Sequence, residues 1–184
     1  MKNLFILVLG ALFALSFTVS AETVIYEFKP VQDDFSQAFY QRKAALGECD
    51  SFPCLVLSGN AQWSIKLNPT DFANRTIYLN YEYKTADIIA ANKNQGFKVM
   101  IVYTKDGRKT YCHRPPVSGN NDWSSMRQMI RVPDGITEVI LTVSIPNGNA
   151  WIRKLYISGK ASTVATPRGT VQHSQTLTVL KKKR

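Results

Sequence analysis

Arg75-Thr76-Ile77-Tyr78-Leu79-Asn80-Tyr81-Glu82-Tyr83-Lys84 decides how this chain is read. Ile77, Leu79, Tyr81 and Tyr83 fall on one side of an extended backbone, and Tyr78, Asn80, Glu82 and Lys84 fall on the other. Successive side chains of a strand point to opposite faces, so this alternation predicts a strand with one buried side. Residues 138–145 repeat it with Val139, Leu141, Val143 and Ile145. Working outward, residues 24–28, 54–57, 63–67, 97–103, 126–132 and 151–157 are further candidate strands. Turn signals separate them at Ser58-Gly59-Asn60, Asn68-Pro69, Lys105-Asp106-Gly107, Pro133-Asp134-Gly135 and Pro146-Asn147-Gly148. Only residues 34–46 carry helical character, as one short helix or an irregular crossing. The expected fold class is all-β: an antiparallel β-sandwich of the jelly-roll kind.

The ends of the chain have a different composition. Lys2, an apolar run over residues 4–17 and Val19-Ser20-Ala21 make the three parts of a secretory signal. The run is short for a membrane span, although an uncleaved anchor is the alternative. These features predict a signal peptide at 1–21, a β-sandwich domain at 22–160 and a basic, flexible tail at 161–184 that ends in Lys181-Lys182-Lys183-Arg184. The expected location is secreted, periplasmic or cell-envelope, with no transmembrane segment once the signal is removed. A formal net charge of +10 favours anionic partners: acidic glycans, envelope lipids or nucleic acid. Export permits a disulfide, and of Cys49, Cys54 and Cys112 one must stay odd. The Pro53-containing turn favours Cys49 with Cys54, and pairing of Cys112 with either remains open.

A resemblance attaches to residues 123–158. Trp123, Ile130-Arg131-Val132-Pro133-Asp134-Gly135, Val139-Ile140-Leu141-Thr142-Val143, Asn147-Gly148 and Trp151-Ile152-Arg153-Lys154-Leu155-Tyr156-Ile157 follow one another there. That order resembles the last third of jelly-roll carbohydrate-binding modules with the galactose-binding-domain-like fold. Residues 75–85 resemble the strand that opens the middle of such domains. The resemblance implies a carbohydrate-binding domain. One departure stands out: Arg153-Lys154 occupy the place where the family commonly carries two aspartates. Two cations hold no cation, so no calcium site is carried over.

Catalysis finds little support, and no catalytic residue is assigned. His113 and His173 are the only histidines, and neither lies in a nucleophile motif. Cys112 and His113 are neighbours, which on a strand sends them to opposite faces. No metal site and no cofactor are expected, since the cysteine spacing is not that of a zinc knuckle. Binding has better material. Sugar rings offer apolar C–H faces and hydroxyls, and so call for aromatic platforms beside charges and amides. The non-core face is expected to carry Tyr78, Lys98, Arg127 and Arg131, with Trp123 beside it in a polar loop that also holds Tyr111 and His113. Trp63 and Trp151 share parity with core aliphatics and are expected to be buried. The leading reading is a secreted, non-catalytic domain for carbohydrate, specifically an anionic glycan or another anionic surface polymer. The alternatives are a structural envelope or matrix subunit that makes protein contacts only and, behind it, a secreted hydrolase. Nucleic acid is disfavoured as a partner by export.

Overall fold

The structure, a computed structural model, describes residues 21–29 and 35–161. Apart from Ala21 and Ala161, the expected signal and tail lie outside the described residues. The strands are β1 Thr23–Glu27, β2 Tyr40–Cys49, β3 Phe52–Leu67, β4 Arg75–Ile88, β5 Lys98–Lys105, β6 Arg108–His113, β7 Gly119–Val132, β8 Ile136–Ile145 and β9 Asn149–Ala161. All pair antiparallel, in the connected order β6-β5-β8-β3-β9-β4-β7, with β1 on β9 and β2 on β3.

β3 turns this path into a sandwich. Its first half pairs with β9 through Leu55↔Ile152, and its second half pairs with β8 through Ile65↔Leu141. Gly59 sits between the halves at φ +66, where lack of a Cβ makes the corner cheap. β2 bends beside it: Lys43 has φ +49, and the register slips between Arg42 and Ala44. One layer therefore holds β7, β4, β9, β1 and the start of β3. The other holds β6, β5, β8, the end of β3 and the start of β2. Leu79, Ile101, Leu141 and Ile157 are fully buried between them, each contributing about 1.5–3 kcal/mol by burial. Aromatic pairs join the layers, with Tyr83 stacked on Phe97 at 5.1 Å and Phe28 edge-on to Trp63 at 4.9 Å. The jelly-roll sandwich is the fold.

Several local expectations need correction. Most of the stretch at 34–46 is strand, because β3 offers the Tyr40–Cys49 backbone a ladder that outweighs its helix-forming Gln, Lys, Ala and Leu. The turn signal at 58–60 is the corner inside one continuous strand. The segment holding Tyr111 and His113 is β6, not a loop. It is joined to β5 by a two-residue turn at Asp106-Gly107 with φ +50 and +72, the geometry that Asp-Gly favours. Trp123 likewise lies on β7.

β9 carries the most consequential correction. Ala150 and Ile152 point into the core, and so do Leu155 and Ile157, which requires one extra residue between the pairs. That residue lies in a bulge at Arg153-Lys154, with Lys154 at φ +51 and the register against β4 slipping between Asn80 and Glu82. Trp151 is therefore on the outer face and half-buried, whereas Trp63 is fully buried as expected. Cys49 and Cys54 form the disulfide, with Cα atoms 5.9 Å apart, across a hairpin whose turn residues Asp50 and Ser51 both have positive φ. Cys112 is free.

Candidate functional site

The sandwich has two outer faces, and the residues singled out from sequence divide between them. Tyr78, Arg127, Arg131 and Trp123 lie on the β7–β4–β9 face, through pairs such as Tyr78↔Met129 and Asn80↔Arg127. Lys98 lies on the opposite face, beside Ser144 of β8. A single surface holding all five does not exist. Alternation identifies a side chain as outward but does not say on which layer.

The β7–β4–β9 face is electrostatically closed. Arg127 pairs with Glu22 at 2.7 Å and lies 4.2 Å over the Tyr78 ring. Glu22 also accepts from Ser158, a bond that leads the causes holding its carboxyl below the usual glutamate range. Glu82 accepts from Lys154 Nζ at 2.6 Å and Arg153 Nε at 2.7 Å, and these cations depress its pKa as well. The Arg153 guanidinium lies 4.0 Å over Trp123 and 5.4 Å from Phe52, and pairs with Asp50 at 3.6 Å. Trp123 Nε1 donates to the same Asp50. The bulge thus aims two cations at a carboxylate where the resembling family has acids, and the result is a strut that fixes the β2–β3 hairpin tip to β7. A cavity of about 260 Å³ opens beside Glu82, Arg127 and Tyr156, but its charges are already satisfied by one another. Arg131 alone among the predicted cations here makes no ion pair among the described residues.

The other outer face is open. Pairing places Tyr40, Ser64, Thr142, Met100 and His113 in one row across β2, β3, β8, β5 and β6. Arg42, Gln62, Ser144 and Lys98 form the next row on one side, and Lys66, Ile140, Val102 and Tyr111 form the next on the other. Ser64 is 0% exposed and Thr142 6% although both point away from the core, so the middle of this face is a floor below higher rims. Gln62 donates to Ser64, whose hydroxyl bonds that of Thr142 at 3.0 Å. The rims are aromatic: Tyr111 is 61% exposed, Phe39 51% and Tyr40 40%. Four strand spacings, roughly 19 Å, separate β2 from β6. Charge on this face is one-sided. Arg42, Lys66, Lys98 and Lys109 stand against Glu138, whose carboxyl is held below its usual range chiefly by Lys66 at 3.0 Å. Among the described residues Lys98 and Lys109 make no ion pair.

Of this face, the sequence did not single out Tyr40, and it placed Tyr111 and His113 in a polar loop where the structure has β6. The Asp106-Gly107 hairpin turn was the available signal for the two on β6. Cys112 and His113 do not meet: Cys112 packs inward opposite Ile101, and burial raises its thiol pKa. His113 points outward, and its Nδ1 donates to the Arg114 carbonyl at 2.7 Å. Among the described residues no three His, Cys, Asp or Glu gather closely enough to hold a metal, and no helix is long and apolar enough to cross a membrane.

No protein-family model and no curated protein matches the sequence. Solved structures do resemble the fold. The xylan-binding domain from carbohydrate-binding module family 22 superposes with a TM-score of 0.55 at 16% identity, over 77% of this chain and 97% of that one. The C-terminal family 22 module of Clostridium thermocellum Xyn10B gives 0.55 at 18% identity, over 77% and 96%. The tandem family 22 domain from Paenibacillus barcinonensis Xyn10C gives 0.57 at 11% identity over 75% of this chain, which spans 50% of that longer structure. The chain has the jelly-roll fold of carbohydrate-binding modules.

Proposed function

We propose that this protein is an exported, non-catalytic carbohydrate-binding domain whose β2–β3–β8–β5–β6 face takes an anionic glycan. The observation that carries the reading is the pairing of exposed aromatic rims with unpaired cations over a polar floor. Tyr111 and Tyr40 offer flat rings for the C–H faces of sugars, and the Gln62, Ser64 and Thr142 groups offer hydrogen bonds to hydroxyls. Lys98, Lys109 and Arg42 attract carboxylate or sulfate substituents. Each exposed contact is individually weak, so affinity comes from several together and falls as salt rises. Arg131, on the other face, is an auxiliary contact at most. The secretory signal read from residues 1–21 supports export, and the likeness of fold to carbohydrate-binding modules supports glycan as the ligand class.

The test is retention on immobilised acidic and neutral polysaccharides at low and high salt, for the full mature chain and for one ending at Ala161. Retention of both on the acidic polymer, weakened by salt and by Tyr111→Ala or Lys98→Ala with melting temperature unchanged, is the expected result. Binding by the full chain alone assigns the activity to the tail. No retention in either form points instead to a structural subunit.

A further inference from the structure

Three adjacent strands of the electrostatically closed face hold a row unlike the rest of it. Trp151 of β9 sits opposite Lys84 of β4, and Trp123 of β7 lies on Lys84's other side, next to Ser124, the partner of Tyr83. The two indoles are thus about two strand spacings, roughly 10 Å, apart. The tip of the β2–β3 hairpin overhangs them, and Glu48, Cys49 and Asp50 complete a cavity of about 260 Å³ with Lys84 and the two tryptophans. Both indoles are half-buried, although neither belongs to the core. Two tryptophans outside the core line this cavity, Trp123 with one ring face already covered by Arg153. The floor is braced: the disulfide closes the overhanging hairpin, and Asp50 is held by Trp123 and Arg153.

We infer that this cavity is a second saccharide site, on the surface opposite the cationic face, and that it takes one neutral pyranose unit. Indole rings suit the apolar C–H face of a sugar, Glu48 accepts from hydroxyls and Lys84 donates to them. Charge excludes the ligand proposed for the other face. Glu48, Asp50 and Asp122 stand against Lys84 and Arg153, so an anionic sugar meets a small excess of negative charge here. A protein with unlike sites on its two outer faces bridges two polysaccharide chains, which one site cannot do.

Tryptophan fluorescence separates the two sites. Trp63 is fully buried and the cationic face carries no tryptophan, so emission changes report on Trp123 and Trp151. Titrating the folded mature protein with xylohexaose and cellohexaose as neutral probes, and hexagalacturonate as an anionic one, is the experiment. A saturable emission change with a neutral probe, retained in Tyr111→Ala and reduced at least tenfold in affinity by Trp151→Ala and by Glu48→Gln, is expected. Trp151→Phe keeps a ring and retains most of the binding. Unmoved emission with both neutral probes overturns the inference, as does a change that survives Trp151→Ala or disappears in Tyr111→Ala. Loss of acidic-polymer retention with the neutral emission change intact defeats the reading of the cationic face and leaves this site standing.

Discussion

The two outer faces of the sandwich are built from the same kinds of residue and put them to opposite uses. On the β7–β4–β9 face three carboxylates are tied to cations: Glu22 meets Arg127, Glu82 meets Arg153 and Lys154, and Asp50 meets Arg153. On the β6–β5–β8–β3 face one carboxylate, Glu138, serves an excess of cations, and the aromatic side chains stand at the rims. Pairing spends charge on holding strands together, and a charge so held has little left for a ligand. Composition counts both faces alike. What distinguishes a structural arginine from an unpaired lysine is the presence of a partner across the strand.

The contrast breaks most sharply at Arg153. Arg153→Ala removes the group stacked on Trp123 and paired to Glu82, and a cost of about 2–3 kcal/mol is expected by chemical denaturation. A value below about 0.5 kcal/mol would put this face on the same footing as ordinary surface. Reducing the Cys49–Cys54 bond, or Cys49→Ser with Cys54→Ser, is expected to cost about 2 kcal/mol from the short loop it closes. Melting curves with and without reductant measure it.

On the open face, Ser64→Ala strands the Thr142 hydroxyl at a buried position and should cost about 1 kcal/mol. The double variant with Thr142→Val should recover part of that, and simple additivity of the two losses would argue that the pair is not coupled. Acid offers a finer separation. Glu22 and Glu82 ionise below the ordinary value of 4.5, so the folded state holds fewer protons than the unfolded chain in that range. Their contribution is complete above about pH 4.5 and is lost as pH falls through the lowered values. Glu82→Gln should flatten the acid limb of a stability-against-pH curve, and Lys98→Ala should leave its shape unchanged. The smallest effect is on Lys98→Ala itself, within about 0.5 kcal/mol of the parent.

Alternation made the bodies of β4, β5 and β8 legible from sequence, because the period of two holds through Ile77–Thr85, Phe97–Ile101 and Val139–Ile145. The same rule failed on β9, where the Arg153-Lys154 bulge shifts parity by one and moves Trp151 from the expected interior to the outer face. It failed on β2 for another reason: a strand bent at Lys43 with Gln, Lys and Ala along it has no local pattern, and only its ladder with β3 makes it a strand. Trp123 was legible as unusual but not as a residue already stacked on Arg153. Lys98 and Arg127 looked equivalent in sequence, since outward parity carries no information about which layer a strand joins. The pairing order supplies that information, and it depends on contacts between residues far apart in the chain.

The pairing of β1 with β9 has a mechanical side. Thr23 lies opposite Gly159 and Glu27 opposite Tyr156, so the first residue of β1 and the end of β9 emerge from the same edge of the sandwich. A force that pulls these two ends apart loads the strands perpendicular to their length. Hydrogen bonds loaded that way yield one after another like a zipper, rather than sharing the force as they would in shear. The Glu22 links to Ser158 and Arg127 sit at the mouth of that zipper and are the first to take the strain. A pulling experiment on the two ends should record a low first step, lowered further by Glu22→Gln, before the body of the sandwich gives way.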